Sequence, residues 1–174
     1  GTSSSVSADH DLQIVKFNSN SDGSAGATVL AQQESTLVRS LSSSNYTLFN
    51  RTVSMGSTSG VVRINTGVNL YNTSGSEEVV EVDVYVDNVL RKTSRIMIDG
   101  RDTTDDWGSK KVDVEYWGNF AAGTSPNFQV RVRSVTGSGP YLGNAFGTSS
   151  SVSADHDLQI VKFNPGLDPL LVDG

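Results

Sequence analysis

The chain holds two histidines, His10 and His156, and both stand in the tetrapeptide Ala-Asp-His-Asp. A serine–histidine–aspartate relay can be drawn from Ser153, His156 and Asp155, with the imidazole taking a hydroxyl proton and the carboxylate fixing its tautomer. A serine nucleophile also needs a strained elbow and an oxyanion hole, and no GxSxG-like stretch is present to supply them. Neither a phosphate-binding glycine loop nor an HExxH pair occurs. The reading is therefore not an enzyme, and His156 is expected to be a loop residue flanked by carboxylates.

Oxygen ligands are concentrated in "IDGRDTTDDWG", where Asp99, Asp102, Asp105 and Asp106 are candidate donors to calcium. Their spacing departs from an EF-hand loop, and aspartates that cap a turn's own backbone account for the same composition. No resident metal or other cofactor is expected. Trp107 lies in this polar loop beside Asp105 and Asp106, a composition suited to a glycan contact. Trp117, Tyr85 and Tyr141 are further candidates for a stacking platform, with packing as the competing use of each.

The histidine motif belongs to a longer repetition. "GTSSSVSADHDLQIVKFN" occupies residues 1–18 and again 147–164, without a mismatch. Its end reads as a strand, with Leu158 and Ile160 on one face and Val161 and Phe163 on the other, so it is buried on both faces or bulged. The first copy runs into "SNSDGSAG", a flexible composition, and the second into "PGLDPLLVDG". Sharp edges favour a recent or deliberate copy, with a tandem array or a natural donor strand as alternatives. One sheet has one place for this strand. The second copy, contiguous with the rest, is expected there, which leaves Leu12, Ile14, Val15 and Phe17 as a partner-binding arm. Leu170, Leu171 and Val172 form an apolar tail contact. The expected boundaries are an arm at 1–26, a sandwich domain at 27–164 and a tail at 165–174.

The elements that would position these groups are strands. "EEVVEVDVYVDN" puts Val80, Val82, Val84 and Val86 on one face, with Glu81, Asp83, Tyr85 and Asp87 on the other. "KKVDVEYW" places Val112, Val114 and Tyr116 inward, and "NFQVRVRSV" does so with Phe128, Val130 and Val132. The outward rows are acidic on the first two and carry Arg131 and Arg133 on the third. If those strands are neighbours, the arginines neutralise the carboxylates across the sheet. "ATVLAQQESTLVRSL" fits a strand or a short helix, and "VLRKTSRIMI" a strand pair or one irregular strand. Polar Gly- and Asn-rich turns separate about eight strands, which predicts an all-β antiparallel sandwich, a jelly roll. The formal net charge of −6 argues against nucleic-acid binding. The absence of cysteine removes disulfides and thiolate sites. Apolar runs are too short to span a bilayer as a helix.

The segments "VVEVDVYVDNVLRK", "VDVEYWGNFAAGTSPNFQVRVRSVTGSG" and "LQIVKF", in that order, resemble a viral or bacteriophage jelly-roll module of the tumour-necrosis-factor-like kind. The resemblance implies a homotrimer, other virion proteins as partners, and a virion-surface or extracellular role such as capsid decoration or a tail fibre. A carbohydrate- or receptor-binding module, contacting cell-surface glycan through Trp107, is the second reading. A pilin-like subunit joined by donor strands is the third.

Overall fold

An apolar row along one side of a strand must meet another such row, and two sheets do this here. The computed structural model describes residues 26–100, 108–146, 149–152 and 155–163, and among them every regular element is a strand. The strands are β1 (Ala27–Ser35), β2 (Arg39–Ser40), β3 (Tyr46–Thr52), β4 (Gly60–Asn72), β5 (Glu78–Val86) and β6 (Val89–Ile98). They continue with β7 (Ser109–Phe120), β8 (Asn127–Ser134), β9 (Pro140–Leu142), β10 (Asn144–Phe146), β11 (Ser149–Val152) and β12 (His156–Phe163). The segment that fitted a strand or a helix forms β1, and "VLRKTSRIMI" forms the single strand β6, with one register shift against β5.

The pairing is nested: β5 with β6, β4 with β7, β3 with β8, and β2 with β9, all antiparallel. This is one long hairpin rolled on itself, the jelly-roll plan. It places β2-β9-β4-β7 in one sheet and β3-β8-β5-β6 in the other. Between them lie Val80, Val82, Val84, Val86, Phe128, Val130 and Val132 from one side. Ile64, Leu70, Val112 and Val114 face them from the other, all buried. The protein is an all-β sandwich.

The roll closes with β9, and the second copy of "DLQIVKF" takes its expected place in the sheet as an added strand, β12. β4 is 13 residues long and β9 covers only Leu70, Tyr71 and Asn72 on one edge. β12 takes the same edge at residues 61–67, which would otherwise offer unpaired amides and carbonyls, and β1 covers the far side of β12. Leu158, Ile160, Val161 and Phe163 are all buried, so both faces of β12 are covered, and the bulge falls in β1 instead, between Val29 and Ala31.

One expectation, on charge, needs correction. β5 and β8 are neighbours, with Glu81 opposite Arg133 and Asp83 opposite Arg131. The acidic row of β7 lies in the other sheet, where Asp113 faces Gly67 and Glu115 faces Asn65. Nor is the β5 row solvated: Glu81 is 3% exposed and Asp83 4%, because long side chains of the flanking strands fold over them.

The β5–β6 hairpin turns through Asp87 (φ 50°) and Asn88 (φ 64°) between the paired residues Val86 and Val89. Two positive φ values in a two-residue loop match the right-handed twist of the strands, and Asn tolerates them better than most residues. Asn88→Ala is expected to lower stability by about 1 kcal/mol, seen as a lower urea midpoint at unchanged m.

Candidate functional site

The slot that receives β12 is built from the roll upward. On one side stands β4, on the other β1, and at the ends stand the loops before β2 and after β3. His156 enters at one end and is fully buried. Its Nδ1 accepts from the Asn69 amide at 3.1 Å, so the ring proton sits on Nε2, which donates to the Leu37 carbonyl at 2.9 Å. Burial holds this imidazole below its ordinary pKa, against smaller upward pulls from the Leu37 carbonyl and from Asp155 and Asp157. Both ring nitrogens are therefore committed to backbone, and His156 is a structural anchor at the start of a strand, not a loop residue. Ser153 lies outside the described residues.

Further along, Asp157 accepts from the Gly67 amide at 3.1 Å and pairs with Lys111 at 3.3 Å. Gln159 accepts from Arg63 at 3.1 Å. Lys162, 5% exposed, donates to the Met55 carbonyl (2.7 Å), the Thr58 carbonyl (2.7 Å) and Thr58 Oγ1 (2.8 Å). Three protons meet three acceptors, so the buried ammonium is fully hydrogen-bonded and ties the loop after β3 to the sheet. Phe163 packs against Trp117, ring centroids 5.3 Å apart. The slot thus reads sequence at both ends, a histidine at one and a lysine at the other, with Leu158 and Ile160 in the core between them.

A second arrangement covers the outer face of the β3-β8-β5-β6 sheet. The Arg131 guanidinium lies 4.1 Å above the Tyr85 ring and donates to Asn88 Oδ1 (2.8 Å) and, through Nε, to Gln129 Oε1 (2.8 Å). Gln129 Nε2 donates to Asn127 Oδ1 (2.7 Å), and Asn127 Nδ2 donates to Asn50 Oδ1 (2.7 Å). One carboxylate oxygen of Asp83, Oδ1, is buried beside this ladder and has no hydrogen-bond partner among the described residues. Glu81, next along β5, receives Arg95 Nε at 2.5 Å and Arg133 Nε at 2.7 Å.

The other sequence candidates divide cleanly. Trp107, Asp102, Asp105 and Asp106 lie outside the described residues, as do Leu12, Ile14, Val15, Phe17, Leu170, Leu171 and Val172. Asp99 is exposed and pairs with Lys110 at 3.7 Å. No group of three or more metal-ligating side chains occurs among the described residues. Tyr85, Trp117 and Tyr141 form no common platform. Tyr85 is covered by Arg131 on one sheet, whereas Trp117 belongs to the other and bonds Glu115 at 2.6 Å. Tyr141 stacks on Tyr71 at 5.0 Å.

The fold and the slot define the class: an all-β sandwich of jelly-roll order carrying an extra, sequence-reading strand. No protein-family model matches the chain, and no curated protein is similar to it in sequence. Among solved structures it is similar to the EclA C-terminal domain, a sugar-binding protein, at 17% identity over 88% of this chain and 83% of that one, with a TM-score of 0.30. It is also similar to the VP2 subviral particle of infectious bursal disease virus, at 12% identity over 84% of this chain and 43% of that one, with a TM-score of 0.23. Both superpositions are too loose to carry a function across. Among the described residues no helix is long and apolar enough to cross a membrane.

Proposed function

We propose that the chain is a non-enzymatic structural module of a virion or other extracellular particle, associating with copies of itself through a strand-bearing arm. The observation that supports this is the surplus strand: β12 fills the slot beside β4, and the same sequence recurs at residues 10–17 with no second slot of that kind among the described residues. A hydrophobic strand with no place in its own sheet gains most by joining a neighbour's. The commitment of both His156 nitrogens to backbone supports the absence of catalysis by that residue. The trimer and the particle setting are proposed on the resemblance of the sequence segments alone. Mass measurement in solution tests association. The full chain is expected as an oligomer and its Ile14→Asp variant as an 18.5 kDa monomer; a monomeric full chain overturns the reading.

A second reading has its own observation. The outer face of the β3-β8-β5-β6 sheet carries the Arg131–Gln129–Asn127 ladder with the Arg131 guanidinium over the Tyr85 ring, planar polar groups of the kind that bind sugar hydroxyls. Glycan arrays on the wild type, Arg131→Ala and Trp107→Ala separate the two sites. Binding lost with Arg131 places the ligand on this face, and binding lost with Trp107 places it on the acidic loop.

A further inference from the structure

Every described contact that holds β12 joins a residue inside the repeat to a residue of the roll or of β1. His10, Asp11, Gln13, Lys16 and Phe17 repeat His156, Asp157, Gln159, Lys162 and Phe163 without change. A strand of residues 10–17 entering the slot would therefore bring the same imidazole to Asn69 and Leu37, and the same ammonium to Met55 and Thr58.

The connection fits as well. Phe163 pairs with Ala27, the first residue of β1, and the two strands run antiparallel. Phe17 precedes Ala27 by the nine residues 18–26, which can span up to about 30 Å, whereas antiparallel neighbours stand only about 5.5 Å apart. A simple hairpin thus brings the first copy against β1 with the direction and register that β12 has. The contacts are equal in the two arrangements, so connecting loops decide the balance, and doubling a loop's length changes it only about threefold.

We propose that the slot between β1 and β4 is a binding site for either copy, and that the domain folds in two frames. In one, residues 156–163 complete the sheet; in the other, residues 10–17 do. Whichever copy is left out is the arm. This inference does not rest on the particle reading, since it concerns a single chain and holds even if no oligomer forms.

The test uses the full chain at low concentration, with Asp replacing Ile14, Ile160 or both. Ile160 is fully buried in the core, and Ile14 would take its place in the alternative frame. Each single variant is expected to keep a cooperative urea transition, and the double variant to lose it. Hydrogen exchange read by mass spectrometry identifies the occupant, because the substitution marks one copy. In Ile160→Asp, amide exchange should slow by roughly a hundredfold at residues 10–17 and become fast at 156–163. An Ile160→Asp chain that fails to fold, or that folds with protection still at 156–163, overturns the proposal.

Discussion

Leucine at both His10 and His156 is expected to destabilise the domain by about 3 kcal/mol at pH 7.5, from two orphaned backbone groups at about 1–3 kcal/mol each. Both copies are changed so that neither can replace the other. Leucine fills nearly the same space, so the loss falls on hydrogen bonding: the Asn69 amide loses its acceptor at a buried position and the Leu37 carbonyl its donor at a half-buried one. The pH dependence has a definite sign. Burial lowers the folded imidazole's pKa, while the unfolded one titrates near about 6.5. Below that value the unfolded chain binds the extra proton, so this contribution is whole above about pH 6.5 and shrinks as pH falls toward the folded value. Urea midpoints at pH 7.5 and 5.5 check both points. The wild type should weaken across this window, and the leucine variant should start lower and depend less on pH. A wild-type midpoint that does not move would mean that the folded imidazole takes up its proton as readily as the unfolded one.

These contacts were only partly legible in the sequence. Period-two alternation located the strands β5, β7 and β8 and their inward valines, because a half-buried strand has to alternate. The same period, carried through β12, aligns His156, Leu158, Ile160 and Lys162 on one face, and that alignment was the available signal that both polar residues are buried. The polar neighbours Asp155 and Asp157 hid it, since they suggest a loop. What no local pattern could show is who receives the polar groups. Asn69 and Leu37 are 87 and 119 residues away from His156, and Met55 is 107 from Lys162. The short strand β9, which closes the roll, was illegible for a related reason: its three residues carry almost no periodic signal. Charge rows were legible as rows but not as partners, because sheet membership depends on the nesting of strands.

The Glu81 cluster shows how far such membership alters the chemistry of a plain acidic residue. Burial alone would raise the Glu81 carboxyl, but hydrogen bonds from Arg95 and Arg133, together with their charges, outweigh it and hold the group below its ordinary range. Replacing both arginines by methionine keeps the stems that cover the carboxylate and removes what compensates it. The expected loss is about 2–4 kcal/mol at pH 7, somewhat under a core ion pair because water can reach the sheet's outer face. Acid should then act in opposite directions on the two proteins. In the wild type the depressed pKa gives stability that is present above about pH 4.3 and is lost as pH falls through the folded value. In the variant only burial remains, the folded carboxyl binds its proton more readily than the unfolded one, and lowering the pH from 7 toward about 4.5 should recover part of the loss. Urea midpoints across that range decide it: recovery in the variant with none in the wild type is the expected result. Parallel curves would show that Glu81 is hydrated in the fold and that the two arginines do no more than cover it.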